Sequence, residues 1–323
     1  MSLVTYKNRR LDDDRLDAGE SVFFLRQLES IDQEVYNKQY PGLMARQLLP
    51  AETGVPEWAN VRTYRQYDRQ GVAQLISDMS DDLPLVDITG QEFTSIIKKI
   101  GDGYRYSIDE LKAAMAMGLP LDAERAMVAR EEAERAVDQI LAKGTMQLPN
   151  GNTLTVPGVV GLTGITGTTA FTAGTKQLGG TTWGTLAAPN ATGDEVAADL
   201  MGVCNNLFEQ TKQIWTKFRV LLNPTQYDYA AQKRLGSVSD TTALKFAMGS
   251  CPYLEGVYPW YQIPAGTMVV FAPDRRVVAA VVNQEYTTLP PQTRGFGWVV
   301  PGSIKCGGVI SRYPVAMSIV TGL

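Results

Sequence analysis

The sequence predicts a mixed fold of helices and sheet, α/β or α+β, and two kinds of segment predict it. One is a long uninterrupted helix: residues 123–143 contain no Gly or Pro, and Ala126, Ala129, Ala133, Val137 and Ile140 recur at helical spacing. The other is a set of short apolar runs of strand type, 218–222, 268–271 and 277–282, each bounded by Pro-, Asn- or Asp-containing turns. A chain of 323 residues with 44% hydrophobic content can bury a sizeable core, and its length suggests two domains of ordinary size.

Taken in order, residues 1–40 read as an arm. Arg9, Arg10, Asp12, Asp13 and Asp14 form a charged run, and Ser21-Val22-Phe23-Phe24-Leu25-Arg26-Gln27-Leu28-Glu29 can form one short amphipathic helix with no local partner. Its apolar content points to docking on a neighbouring subunit. Residues 61–67 alternate as a strand exposed on both faces, with 72–76 continuing beyond Gly71, and a returning strand is expected at 93–100. Together they make a long hairpin whose tip, 78–90, is too wide for a tight turn. Such a limb is marginal alone in water and needs a partner surface. Asp78, Asp81, Asp82 and Asp87 cluster there, but without the spacing or Gly of a Ca²⁺ loop they read as an acidic loop and not a metal site.

Ser107 and Glu110 have capping-box spacing, with Tyr106 and Leu111 as a hydrophobic staple, so a helix starts there. It breaks at Gly118-Leu119-Pro120, because the residue before a proline is pushed out of the α region. Asp122 then caps the long helix, and Gly144 supplies its C′ stop. About 21 residues at 1.5 Å each give a strut of roughly 30 Å. Its narrow, Ala-rich stripe suits close approach to a sheet. Arg125, Arg130, Glu131, Glu132, Glu134, Arg135 and Asp138 read as a solvated opposite face, with Glu131 and Arg135 in the favourable i,i+4 order.

From Thr145 to Gly193 the composition shifts to Gly and Thr. Gly158, Gly161, Gly164 and Gly167 recur every third residue, in neither a collagen nor a phosphate-cradle pattern, so a long surface loop is expected. Asn190-Ala191-Thr192 fits a glycosylation sequon that means nothing without a secretory signal. Thr192 or Asp194 caps a helix to about Lys212 carrying Val196, Leu200, Val203, Leu207 and Ile214; Pro224 then opens a helix over 225–235 after the strand at 218–222. The runs 268–271 and 277–282 are expected to pair as a hairpin with a wide turn. The strand-like ends, 307–311 and 315–320, are expected to return to the strut.

Composition excludes several functions. A net charge of -4 gives no basic footprint for specific nucleic-acid binding. There is no histidine, which removes the commonest general base, the commonest transition-metal ligand and every Ser-His or Cys-His nucleophile. Cys204, Cys251 and Cys306 fit neither a disulfide framework nor a CxxC metal site and read as buried small hydrophobes in a reducing compartment. No run of 18 apolar residues exists and the start is not a signal peptide, so a soluble chain made in the cytosol, with no membrane partner, is expected. No catalytic, cofactor-binding or metal-binding residue and no cofactor is predicted.

The order of parts resembles the major capsid proteins of tailed bacteriophages with the Hong Kong 97-type fold. The residues carrying the resemblance are Asp82-Leu83-Pro84-Leu85-Val86-Asp87; Gly103-Tyr104-Arg105-Tyr106-Ser107-Ile108-Asp109-Glu110-Leu111 leading into Gly118-Leu119-Pro120-Leu121-Asp122; Gly158-Val159-Val160-Gly161-Leu162; and Arg312-Tyr313-Pro314-Val315-Ala316-Met317. No single motif is diagnostic; their sequence along nearly the whole chain is. The resemblance implies an α+β fold with an N-terminal arm (1–40), the start of a peripheral domain (41–55), an extended hairpin loop (56–100), a peripheral domain with the spine helix and Gly/Thr loop (101–190), an axial domain (191–290) and return strands (291–323). It implies hexamers and pentamers in an icosahedral shell around packaged double-stranded DNA, a portal protein, scaffolding and cement proteins, and weak non-specific contact with the genome at points such as Arg9, Arg10, Lys98 or Lys99. Some relatives crosslink a lysine on the extended loop to a neighbour's asparagine. Here no lysine lies between Lys38 and Lys98, so that bond is not expected. There is also no long N-terminal extension to act as a built-in scaffold, which points to a separate scaffolding protein or to none. The alternative is an encapsulin-type compartment shell; a carboxylate enzyme using the acidic loop is the reading from a different class.

Overall fold

The computed structural model describes residues 42–71, 85–117, 121–147, 153–160, 171–236 and 239–323. The chain divides into a unit of residues 1–41, outside that description, and a unit of residues 42–323, to which everything below refers. The expected arm, the strand extension at 72–76, Asp78, Asp81 and Asp82, the helix break at 118–120 and Gly161, Gly164 and Gly167 lie outside the described residues.

The elements in order are α1 (Ala45–Leu48), β1 (Val61–Gln70), β2 (Asp87–Ile96), β3 (Lys98–Ser107), α2 (Ile108–Met117), α3 (Leu121–Lys143), β4 (Thr145–Gln147), β5 (Thr153–Thr155), α4 (Gly193–Gln210), β6 (Phe218–Leu222), α5 (Pro224–Gln232), α6 (Ala243–Ser250), β7 (Leu254–Pro259), β8 (Thr267–Phe271), β9 (Val278–Thr288), β10 (Gln292–Arg294), β11 (Gly297–Ser311) and β12 (Met317–Thr321).

Two four-stranded sheets organise them. In the first, ordered β12-β8-β6-β7, β8 is buried at every position and β6 at all but one, as expected of continuous apolar runs in central strands. β6 and β7 are parallel, so their connection must cross over, and α5 and α6 make that crossing. α4 carries Val196, Leu200, Val203 and Leu207, each fully buried, at a gross gain of about 2 kcal/mol per side chain. Thr192 caps it in a reciprocal box with Glu195. It ends at Gln210, because Lys212 and Gln213 take positive φ; Ile214 therefore lies outside the helix and is exposed, a correction to the expected stripe. Asn223 caps α5 with Pro224 at its first turn, and the helix stops at Gln232, short of Leu235.

In the second sheet β11 is the hub, pairing with β3, β9 and β10. It is 15 residues long and serves three partners because β3 takes one edge while β10 and then β9 pair in succession along the other, the β9 pairing shifting register between Ser303 and Gly308. Gly308 has φ +73°, and a Cβ there would stand 2.3 Å from the Pro157 carbonyl oxygen. α3 lies against this sheet with Ala129, Ala133, Val137 and Ile140 buried, as the stripe predicts. It stops at Gly144, φ +73°, whose N–H bonds the Ile140 carbonyl.

Several expectations need correction. The hairpin expected of 268–271 and 277–282 does not form: β8 pairs with β6 and β12, whereas β9 pairs with β11 in the other sheet. Asp274 turns the chain between them by accepting from Val277 and Val278 N–H through its carbonyl and from Arg276 through its carboxylate. Periodicity signals a strand without signalling its partner. The end 307–311 is the last part of β11, a strand that contacts α3, whereas Met317–Thr321 extends the first sheet beside β8. The returning strand expected at 93–100 is two strands. β2 begins at Asp87, inside the expected tip, and ends at Ile96; Ile97 turns inward and β3 starts at Lys98. β3 carries two glycines and an aspartate, a composition that hides a strand until a long partner such as β11 supplies its hydrogen bonds.

The Gly/Thr stretch is not simply surface loop. Beyond a short β4–β5 hairpin it delivers Val156, Val159, Ala173 and Trp183 into the main core. There Asp199 of α4 accepts from the Trp183 indole N–H at 2.7 Å and from the buried Lys176 ammonium. Asp138, expected on the wet face of α3, is 4% exposed. It accepts from Met44 N–H (3.1 Å), Ala45 N–H (2.8 Å) and Trp260 Nε1 (3.2 Å), so the carboxylate is buried among donors that take the place of water.

Candidate assembly surfaces

The β1–β2 hairpin is the main projecting limb. Its strands pair over ten positions, from Val61 opposite Ile96 to Gln70 opposite Asp87. On β2 every residue from Asp87 to Glu92 is exposed. Local cross-strand pairs stiffen it: Tyr64 stacks on Phe93 at 5.5 Å, and Arg65 meets Glu92 at 2.7 Å. Val61, Tyr67, Leu85, Val86, Ile88 and Ile96 nonetheless stand in solvent, Leu85 at 91%. Apolar side chains left uncovered at both ends of a limb of this kind mark it as an interaction surface.

The root, by contrast, is tied firmly. Ala59 and Ile97 join Ala279, Val281 and Ile310 in a small separate core. Ser95 Oγ donates to the Gly307 carbonyl at 2.8 Å, Asn283 Nδ2 to those of Pro56 and Ala59, and Lys305 Nζ to that of Glu57. The strongest knot is Glu52. Its buried carboxylate accepts from Arg312 Nη2 (2.8 Å) and Nη1 (3.3 Å), Arg275 Nε (3.2 Å) and Arg62 Nη2 (3.3 Å). Burial pushes this carboxyl up, but hydrogen bonds and charge from Arg312 and Arg275 outweigh it and hold it below the ordinary range. Arg62 belongs to the hairpin, Arg275 to the β8–β9 link and Arg312 to the β11–β12 link, so one carboxylate fixes the limb at the point where the chain passes between the two sheets. The sequence reading did not single out Glu52; three arginines scattered over 250 positions give no local signal.

A second limb is the β10–β11 turn, where Phe296 is 91% exposed. Near its base Glu110 reaches back to the Ser107 N–H at 3.2 Å, while Ser107 Oγ accepts from Asp109 two residues on instead of from Glu110. Arg125 of α3 then bonds Glu110 and the Arg105 carbonyl, locking α2 to β3 and α3. Glu131 and Arg135 do pair, at 3.6 Å, though Glu132 lies closer to Arg135.

Chemistry is sparse among these surfaces. No group of three or more Cys, Asp or Glu could hold a metal among the described residues, and Asp87 bonds only its neighbour's N–H, at Ile88. Coupling between the Cys204 and Cys251 thiols holds Cys251 below the ordinary thiol range and, with burial, pushes Cys204 above it; all three cysteines are buried and free. Lys98 and Lys99 are exposed at the start of β3, and Arg9 and Arg10 lie outside the described residues. Among the described residues no helix is long and apolar enough to cross a membrane.

The described residues thus form a firmly rooted unit with long uncovered limbs. The chain belongs to the major capsid protein family, whose sequence model matches residues 71–323. Its fold is the Hong Kong 97 type expected from the order of parts. It is similar to a chain of the capsid of Myoviridae phage XM1, with a TM-score of 0.75 at 17% identity over 94% of this chain and 99% of that one. It is also similar to a Mycobacterium phage Ogopogo chain (TM-score 0.60, 13% identity, 93% and 99% covered) and to the capsid of a native GTA particle (TM-score 0.62, 12% identity, 91% and 94% covered). None of the curated proteins matches it. The chain is a structural capsid protein of the tailed-phage type, and the family match favours this over the encapsulin alternative.

Proposed function

We propose that this chain assembles as hexamers and pentamers into a closed icosahedral virion shell around the double-stranded DNA of a tailed phage, in the host cytoplasm, and that it has no enzymatic activity. The observation that carries the reading is the β1–β2 hairpin, stiff along ten pairs, knotted at Glu52 and uncovered beyond its root. In this reading α3 with β3, β9, β10 and β11 serves as the peripheral domain, and β6, β7, β8 and β12 with α4, α5 and α6 as the axial domain. One vertex takes a portal protein, and closure is guided by a separate scaffolding protein or by none. DNA is confined by the wall and touched only at local basic points. Negative-stain microscopy and sedimentation of the purified chain test this: closed particles are expected, and a monodisperse monomer under every assembly condition, including with the phage's own partners, overturns it.

A further inference from the structure

The β10–β11 turn has a shape and an exposure that its own chain does not use. Arg294 pairs with Gly297, so Gly295 and Phe296 are the whole turn, and Gly295 at φ +57° fits the first central position of a type II′ hairpin. The Phe296 carbonyl accepts from Ile108 N–H at 3.2 Å, which seats the turn on the start of α2. The backbone of the turn is therefore held in place while Phe296 is 91% exposed, with Arg294 exposed beside it. Aromatic residues and arginine are enriched at protein interfaces, and a fixed backbone lowers the ordering cost of using them there.

A receptor for it lies on the same molecule. Between β3 and α3 is a mostly apolar hollow of about 400 Å³ lined by Tyr104, Val128 and Ala129, with the carboxylates of Asp102, Glu124 and Glu132 and the guanidinium of Arg125 around it. Val128 is 58% exposed there. Asp102 accepts the Tyr286 hydroxyl at 2.8 Å through one oxygen, while its other is buried without a partner, so its charge is not matched by a cation within hydrogen-bonding reach. The hollow accommodates an aromatic ring, and its rim, three carboxylates against the one guanidinium of Arg125 that Glu110 already holds, is complementary to Arg294.

Resting on the self-assembly reading, we infer that the Arg294–Phe296 turn of one copy inserts into the β3–α3 cavity of a second copy. Phe296 covers Val128 and Ala129, and Arg294 faces Glu124 and Asp102. Tip and cavity are different patches, so the contact is head-to-tail and propagates from copy to copy, as a ring or a lattice requires.

The test is positional. The chain carrying both Phe296→Cys and Val128→Cys is assembled, oxidised and run on a detergent gel without reductant. A ladder of covalent multimers is expected, collapsing on reduction and absent from either single variant. Particles that yield only the monomer band overturn the docking. Should the double variant fail to assemble, charge reversal decides: Arg294→Glu is expected to raise the concentration needed for assembly by more than about tenfold, and Glu124→Arg in the same chain to restore it. An unchanged assembly concentration in Arg294→Glu, or no recovery in the double reversal, counts against the contact. Failure of the native chain to form particles strikes self-assembly itself, whereas particles without these signatures strike the docking alone.

Discussion

Replacing Glu52 by Gln isolates what the knot beneath the hairpin contributes. The carboxylate side chain is 2% exposed and serves three guanidinium groups that are 33%, 44% and 23% exposed. Removing one member of a fully buried ion pair costs about 3–5 kcal/mol, because a charge is left without a partner. Here the arginines are partly hydrated and can recover some solvation, which brings the expected cost to about 2 kcal/mol, or a fall in melting temperature of roughly 3 °C for a unit of this size. Arg275→Met provides the contrast: it leaves two arginines on the carboxylate and removes the most exposed one, so its cost should stay under about 1 kcal/mol. The pH dependence gives an independent reading. Because the folded carboxyl is held below its unfolded value, its contribution is fully present above an unfolded pKa of about 4.3 and is lost as pH falls through the folded value. Native subunit should therefore lose more stability than Glu52→Gln as pH falls through the acid limb. Thermal melts of the unassembled subunit from neutral pH down to the acid limb make both measurements. If Glu52→Gln melts within about 0.5 kcal/mol of the native chain and follows the same acid limb, the knot is not holding the root.

Three further outcomes are expected. Ala133→Pro, at a buried position in the middle of α3, should cost about 3 kcal/mol or more through the lost hydrogen bond and ring clash, and soluble protein with an unchanged melting curve would contradict the placement of the helix against the sheet. Shells of the native chain boiled in detergent without reductant should give a single band near 35.3 kDa, since the described hairpin carries no lysine and the cysteines are buried and free; a covalent ladder refutes noncovalent closure. Unassembled subunits, at a net charge of -4, should bind random duplex DNA no tighter than about 10⁻⁵ M at physiological salt, and submicromolar, steeply salt-dependent binding in an anisotropy titration would reopen a nucleic-acid role.

The parts of the fold legible in the sequence are those whose burial is satisfied within one element's own period. The α3 stripe, the α4 face and the apolar runs of β6 and β8 announce themselves because a core face repeats at 3.6 residues and a fully covered strand is apolar throughout. Pairing was much less legible. β8 and β9 are adjacent in sequence, each reads as a strand, and a short link normally means a hairpin, yet they belong to different sheets. Nothing in either run encodes which edge it joins. Buried polar contacts were illegible for a related reason. Asp138 and Glu131 look alike in a helical projection, and only the distant donors at Met44, Ala45 and Trp260 distinguish a buried carboxylate from a solvated one.

The assembly surfaces stand apart, because the pattern that betrays a core becomes ambiguous where the missing half of the core belongs to another molecule. Along β1 the alternation of exposed and half-covered residues is visible, but on β2 the run Asp87 to Glu92 is exposed throughout and carries no period. Ile88 and Val86 there resemble the apolar residues of an ordinary buried strand, and within their own subunit they stand 59% and 72% exposed. Leaving such side chains in water forgoes about 25 cal/mol for each Å² of apolar area, a loss recovered only when a partner covers them. A monomeric protein gains nothing by keeping Leu85, Val86, Ile88 and Phe296 uncovered on limbs whose roots are fixed by Glu52 and Ile108. In a subunit that is completed by copies of itself, rigid roots and apolar tips have a single physical use. The root sets the geometry in advance, so less of the association free energy is lost to ordering, and the tip supplies the area that drives association.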